Sequence, residues 1–214
     1  MRIGQQVRPL AQAFAAALML TASATIAGAQ GHDEHGEHGT SGPSSQHKPT
    51  AQDNALVRAV REATERFKHV TSVAGPGEGY ELKFGCVSGG DFGAMGMHFV
   101  NFGLVDGEVD VTKPEIILFE PTPNGGIRIT GADFLVPVAA WDAAHAIPPA
   151  EHAAPPELMG QLFHLFDSPN RFGLDPFYTL HVWAWKDNPN GTFGNWNPDV
   201  SCDAFNAATP PGTH

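Results

Sequence analysis

Phe177-Tyr178-Thr179-Leu180-His181-Val182-Trp183-Ala184-Trp185 is a run of aromatic, aliphatic and β-branched residues with one imidazole at its centre. It reads as a strand, and the two-residue period of a strand sets Phe177, Thr179, His181, Trp183 and Trp185 on one face. A histidine is thereby expected inside an aromatic setting. Upstream, residues 81–87, 97–105, 115–120 and 127–136 are further runs of this kind, and with 177–186 they are separated by Gly, Pro, Asn and Asp. Short β-prone runs punctuated in this way predict antiparallel strands joined by turns. Pro123-Asn124-Gly125-Gly126 marks a hairpin between the third and fourth.

Two segments carry helical signals instead. From 53 to 69, Leu56, Val60, Ala63 and Phe67 share one face while Arg58, Arg61, Glu62, Glu65 and Arg66 occupy the rest, with Asp53 at the N-cap position and Gly75-Pro76-Gly77 past the end. Residues 157–166 follow Pro155-Pro156, which suit a first turn, and stop at Ser168-Pro169-Asn170, predicting a short helix over the sheet. The expected fold is α+β: a mainly antiparallel β-barrel or sandwich, cupin-like as first expectation, with two helices. It spans residues 50–206 as a single globular domain, with a flexible tail at 207–214. Loops at 139–156 and 187–201 are longer than connectors need, and such loops often line a site. Gly75, Gly77 and Gly79 do not read as a phosphate loop, because no strand precedes them and no helix follows.

The 214 residues are 42% hydrophobic and 16% charged, the make-up of one globular unit with appendages. Twelve Lys and Arg against 23 Asp and Glu leave a net charge of −11, so the chain repels a phosphate backbone and nucleic acid is excluded as a partner. Arg2 and Arg8, an apolar run from Leu10 to Ile26 and the small-x-small Ala27-Gly28-Ala29 read as a signal peptide over residues 1–29. Gln12, Thr21, Ser23 and Thr25 interrupt that run and no basic flank follows it, so no membrane insertion is expected after cleavage. Losing two arginines takes the charge from −11 to −13. The expected location is periplasmic or secreted.

Residues 30–49 are Gly, Ser, Pro, Gln and charge, too polar to offset the entropy of ordering, and read as a disordered leader. In it His32, His35 and His38 recur among Asp33, Glu34 and Glu37, a string able to wrap a divalent metal; a solubilising linker is the plainer reading. Cys86 and Cys202 are the two cysteines, and in an exported chain two thiols most simply form one bridge. Cys86 as a reduced nucleophile is the rival.

His98 and His181 carry the strongest chemical signal. In Gly96-Met97-His98-Phe99-Val100-Asn101-Phe102, alternation sets His98 with Val100 and Phe102. An interior imidazole costs free energy unless both nitrogens find partners, and a metal ion with an acceptor behind the ring meets that need. Glu120, on the face of Ile116 and Leu118, is a third candidate, and His164 on the short helix a fourth. Imidazoles and a carboxylate from separate elements suit a divalent transition metal, Zn, Cu, Fe or Mn, and a catalytic version would use it as a Lewis acid on a small organic substrate. The rival for each histidine is a core or edge residue bonded to backbone. Met95 and Met97 beside His98 add a copper reading, with packing as its rival. No Gly-x-Ser-x-Gly or His-Glu-x-x-His string supports a hydrolase.

The alternative is a non-catalytic, metal-free small-molecule binder whose aromatic pocket is built from Phe177, Trp183 and Trp185, with Trp196 and Asn188, Asn190, Asn195 and Asn197 close in sequence. The same asparagines read as turn residues whose side chains bond backbone. Pro169-Asn170-Arg171-Phe172-Gly173, the segment from His181 to Gly191 and Trp196-Asn197-Pro198 resemble a group of exported bacterial proteins. That resemblance implies a periplasmic or secreted setting and brings no catalytic residues with it.

Overall fold

A computed structural model describes residues 51–148 and 150–208. The expected signal peptide, the expected leader with His32, His35 and His38, and the chain beyond Ala208 lie outside the described residues. The helical periodicity at the start becomes α1 (Ala51–Thr64), continued by a tighter turn at Glu65–Phe67. Helix therefore begins before Asp53, and Asp53 is not its N-cap. The alternating runs become β1 (Glu81–Ser88), β2 (Ala94–Val100), β3 (Ile116–Pro121) and β4 (Ile127–Pro137). After α2 (Val138–His145) come β5 (Glu157–Leu158), β6 (Gln161–Leu162), β7 (His164–Phe166), β8 (Phe177–Val182) and α3 (Asp203–Ala208).

The fold is α+β, as expected. Six strands form one antiparallel sheet in the order β1-β2-β3-β4-β8-β7, and β5 and β6 form a separate small hairpin. The order is linear, with β1 and β7 as edges, so the curled sheet is a half-barrel and the cupin-like expectation finds no support in it. One face is a continuous apolar layer on which α1 lies, with Leu56, Val60 and Phe67 against strand residues such as Phe134, Leu180 and Phe119. The opposite face carries Val100, Ile116, Leu118, Leu135 and Phe177. It also carries the polar groups of the candidate site.

Several boundaries move for local reasons. β2 stops at Val100 because Asn101 closes a turn, its carbonyl accepting from Leu104 N–H and its Oδ1 from Gly103 N–H, both at 3.0 Å. Phe102 is consequently 51% exposed and does not stand beside His98. β8 stops at Val182, whose carbonyl accepts from Ala184 N–H at 2.9 Å, so the alternation ends there.

Residues 157–166 are not the expected helix. Met159 and Gly160 both have positive φ, 51° and 88°, the backbone of a two-residue hairpin turn, and His164–Phe166 pairs with β8. Met-Gly lacks the usual Asn-Gly or Asp-Gly signature of that turn. The second helix of substance is instead α2, inside the stretch read as a loop, where Ala139, Ala140, Ala143 and Ala144 supply high helix propensity.

Cys86 and Cys202 are bonded, across 116 residues of sequence, which removes Cys86 as a free nucleophile. Among the described residues no helix is long and apolar enough to cross a membrane.

Candidate metal centre

His98 stands on β2 and His181 on β8, three strand positions apart in the sheet order. At about 4.8 Å per step a flat sheet would hold them roughly 14 Å apart. Their ring centroids are 6.3 Å apart. The curl of the sheet closes that gap, and Asp133 on β4, paired in register with His181, lies between. One ligand atom from each of His98, Asp133 and His181 lies within 4.8 Å of the other two, and the residues are 3%, 7% and 1% exposed. Ligands 2.0–2.2 Å from a tetrahedral ion stand about 3.4 Å apart, so rotamer-scale shifts of about 1 Å complete the set.

Backbone irregularities aim these groups. Met95 is the extra residue where β2 bulges against β1, between the pairs Ser88–Ala94 and Val87–Gly96. Next to it Gly96 has φ 92°, and a Cβ there would sit 2.4 Å from the carbonyl oxygen of Phe119. Met95 and His98 therefore both line the cavity, while Met97 packs in the opposite layer. A second shift, between Leu118 and Phe119 on β3, sits opposite Gly131, where a Cβ would meet the Val182 carbonyl oxygen at 2.0 Å. This shift changes which face the odd-numbered residues of β4 occupy: Ile127 and Ile129 belong to the layer under α1, Leu135 to the opposite one.

Burial decides the charge state. His98 Nδ1–H donates to the Gly96 carbonyl at 3.0 Å, which leaves the Nε2 lone pair available. Its pKa is pushed down to about 4, mainly by burial. His181 is held well below the usual imidazole range by burial and by His98, and its Nε2 is buried without a hydrogen-bond partner among the described residues. Asp133 is pushed up to about 7 by burial, although the Thr179 hydroxyl and the N–H groups of Phe134 and Leu180 hydrogen-bond to it. Near neutral pH the centre presents two neutral imidazoles and a carboxyl on the verge of ionising.

The groups form one end of a cavity of about 380 Å³, its open mouth included. All six strands of the sheet line it, and among the described residues no Lys or Arg does; Arg171 lies just outside, 6.0 Å from the Phe172 ring centroid, and its charge adds to the lowered pKa of His98. Phe172, on the segment between β7 and β8, bridges the mouth: its ring centroid is 5.2 Å from Phe84 on β1 and 6.2 Å from Phe166 on β7.

No protein-family model, curated protein or solved structure matches this chain. The chemistry of the centre is therefore read from its own geometry.

Glu120 is not brought to the histidines. It is buried, but its carboxylate is held by Arg128, with Nε at 2.7 Å, and by Lys186 Nζ at 3.0 Å. His164 is exposed on β7. His145 stacks on Trp141 at 3.7 Å and His152 bonds Asp142 at 2.6 Å, so both are surface contacts of α2. Of the expected aromatic pocket, Phe177 lines the cavity. Trp183 is buried with Ala94, Val200 and Cys202, its ring 4.7 Å from His181. Trp185 lies on the other side of the sheet, its Nε1–H donating to Thr64 Oγ1 of α1 at 2.9 Å. The break in alternation after Val182 separates them. Asp133 was legible only as a carboxylate inside an apolar run, the same signal that drew attention to Glu120; the irregularity near Gly131 hid its face.

Proposed function

We propose that this is an exported protein that binds a divalent transition metal, of the Zn, Fe, Mn or Cu class, through His98, Asp133 and His181. Two imidazoles and one carboxylate, with further positions open toward a cavity, are a donor set used by hydrolytic zinc and non-haem iron sites. When bound, such an ion supplies Lewis-acid activation of a small molecule in the cavity. The observation that carries the reading is His181 Nε2, a buried ring nitrogen without a hydrogen-bond partner beside a second imidazole and a carboxyl. A bare buried nitrogen costs free energy, and a metal ion is a partner that repays it. The Cys86–Cys202 bridge supports a periplasmic or secreted setting, since such bonds persist in oxidising compartments.

The test is metal analysis and zinc titration of the untagged mature chain with His32, His35 and His38 replaced by Ala. About one equivalent of tightly held metal is expected, lost in His98→Ala, His181→Ala and Asp133→Asn variants that keep the native circular dichroism. Metal content unaffected by these substitutions, or no uptake at all, removes the reading. A metal-free small-molecule binder is the second reading, supported by the phenylalanine walls of the cavity. Metal-free protein carrying a co-purified organic ligand would favour it.

A further inference from the structure

The loop from 188 to 197 contains four asparagines, and three spend their side chains on backbone. Asn188 Nδ2 donates to the carbonyls of Gly194 and Trp196 at 3.2 and 3.1 Å, Asn190 Nδ2 to Trp196 at 3.2 Å, and Asn197 Nδ2 to Asp187 at 3.0 Å. Trp183 Nε1 adds a bond to the Gly194 carbonyl at 2.6 Å, and Asn197 pairs with Ala94 by backbone bonds at 3.1 and 3.2 Å. The carbonyls on both sides of Asn195 are thus clamped. Asn195 itself differs: its side chain lines the cavity, and its Oδ1 is buried without a hydrogen-bond partner among the described residues.

This is a second orphaned polar atom in the cavity that holds His181. An amide oxygen left bare in such a place lowers the stability of the free protein, and it is repaid by a ligand that brings a donor to it. Phe84, Phe166, Phe172 and Phe177 form the apolar walls; the Arg171 guanidinium lies outside them, 6.0 Å from the Phe172 ring centroid and bonded to the Ser88 carbonyl at 3.0 Å, so among the described residues no cation within the walls receives a carboxylate or phosphate. The enclosed part has room for only about one or two waters, so the body of a ligand lies among the phenylalanines of the mouth.

We propose that Asn195 is a selectivity residue of this cavity, accepting a hydrogen bond from an uncharged, ring-sized ligand that carries one hydroxyl or N–H donor, of which phenol is the simplest example. The proposal shares its cavity with the metal reading and deepens it by naming the ligand class. Asn195 recognises the ligand and is assigned no part in bond making.

The test uses the untagged mature chain with the leader histidines replaced, metal-free and zinc-loaded, titrated calorimetrically with phenol, toluene and benzoate. Phenol is expected to bind about tenfold more tightly than toluene, which has its shape without the donor, the worth of one neutral hydrogen bond. Benzoate is expected to bind more weakly than phenol. Asn195→Leu should erase the preference for phenol over toluene and leave the melting temperature unchanged or raised, because it removes a bare buried oxygen. If that variant fails to fold, Asn195→Ala is read in the same way. Equal affinities for phenol and toluene, a preference that survives the substitution, or no phenol binding in either form overturns the assignment. Zinc uptake is measured on the same samples. An Asn195-dependent preference without zinc uptake keeps this inference and removes the metal reading; uptake without a preference does the opposite.

Discussion

Glu115 lies immediately before β3, 3% exposed, and its Oε2 accepts the N–H of Leu135 at 3.0 Å, two residues beyond Asp133 on β4. Burial pushes its pKa up to about 8 from a usual value of 4.5. The folded protein therefore keeps the proton long after the unfolded chain has released it. A carboxyl raised on folding contributes stability that is fully present below about 4.5 and lost as pH rises to about 8. At about 1.36 kcal/mol per pH unit the total loss is about 5 kcal/mol, of which about 3 kcal/mol falls between pH 5.5 and 7.5. Glu115→Gln keeps an acceptor for Leu135 N–H and removes the ionisation. Urea unfolding of both proteins at pH 5.5, 6.5 and 7.5, in the presence of a chelator, should show the variant gaining about 3 kcal/mol relative to wild type across that range. His98 and His181 contribute the same pH dependence to both proteins and drop out of the difference, while Asp133, whose charge helps to raise the Glu115 pKa, leaves only a small coupling in it. Parallel profiles for the two proteins would refute the burial argument.

Other expectations follow from the same contacts. Opening the bridge with Cys86→Ala and Cys202→Ala releases a loop of 116 residues and should cost about 4–5 kcal/mol in urea unfolding; a loss under about 1 kcal/mol would mean the ends are held by packing alone. In Gly131→Ala the new Cβ meets the Val182 carbonyl at 2.0 Å, where backbone cannot yield cheaply. A destabilisation of about 1–3 kcal/mol and weaker zinc uptake are expected, and a neutral result would show that the β4–β8 approach is soft. Phe134→Ala, fully buried beneath α1, should cost about 3–5 kcal/mol by chemical denaturation. Zinc at a hundred times its dissociation constant should add about 2.7 kcal/mol to wild type and nothing to Asp133→Asn, with EDTA reversing the gain. Equal stabilisation of the two proteins would place the ion elsewhere.

Local pattern was enough for the regular elements. Leu56, Val60 and Phe67 share a helical face in any α-helix, and the five main β-prone runs each overlap a strand of the sheet. The hairpin at 123–126 was equally legible, and it closes with Thr122 and Gly126 joined by a backbone bond at 2.8 Å. Local pattern failed wherever a turn lacked its usual residues. Met159-Gly160 turned an expected helix into strands, and the turn after Val182 sent Trp183 and Trp185 to different sides of the sheet.

The candidate site divides along the same line. His98 and His181 stood out because an imidazole among apolar residues is conspicuous in one dimension, and the structure brings their rings to 6.3 Å. Glu120 and Asp133 gave nearly equal signals, and only the fold distinguishes them: one meets Arg128 and Lys186, the other meets the histidines. Asn195 looked like another turn asparagine until the partners of its three neighbours could be counted.

The sequence by itself determined the period of each element, the burden of buried polar groups that would need partners, and the pair of cysteines available for a bridge. Tertiary structure decided which of those polar groups share a cavity. Alternation assigns a side chain to a face, but bulges at Met95 and near Gly131 reset the faces, and the curl of six strands carries β2 toward β8. Bulges and curl arise from contacts between strands distant along the chain, so no short stretch of sequence contains them.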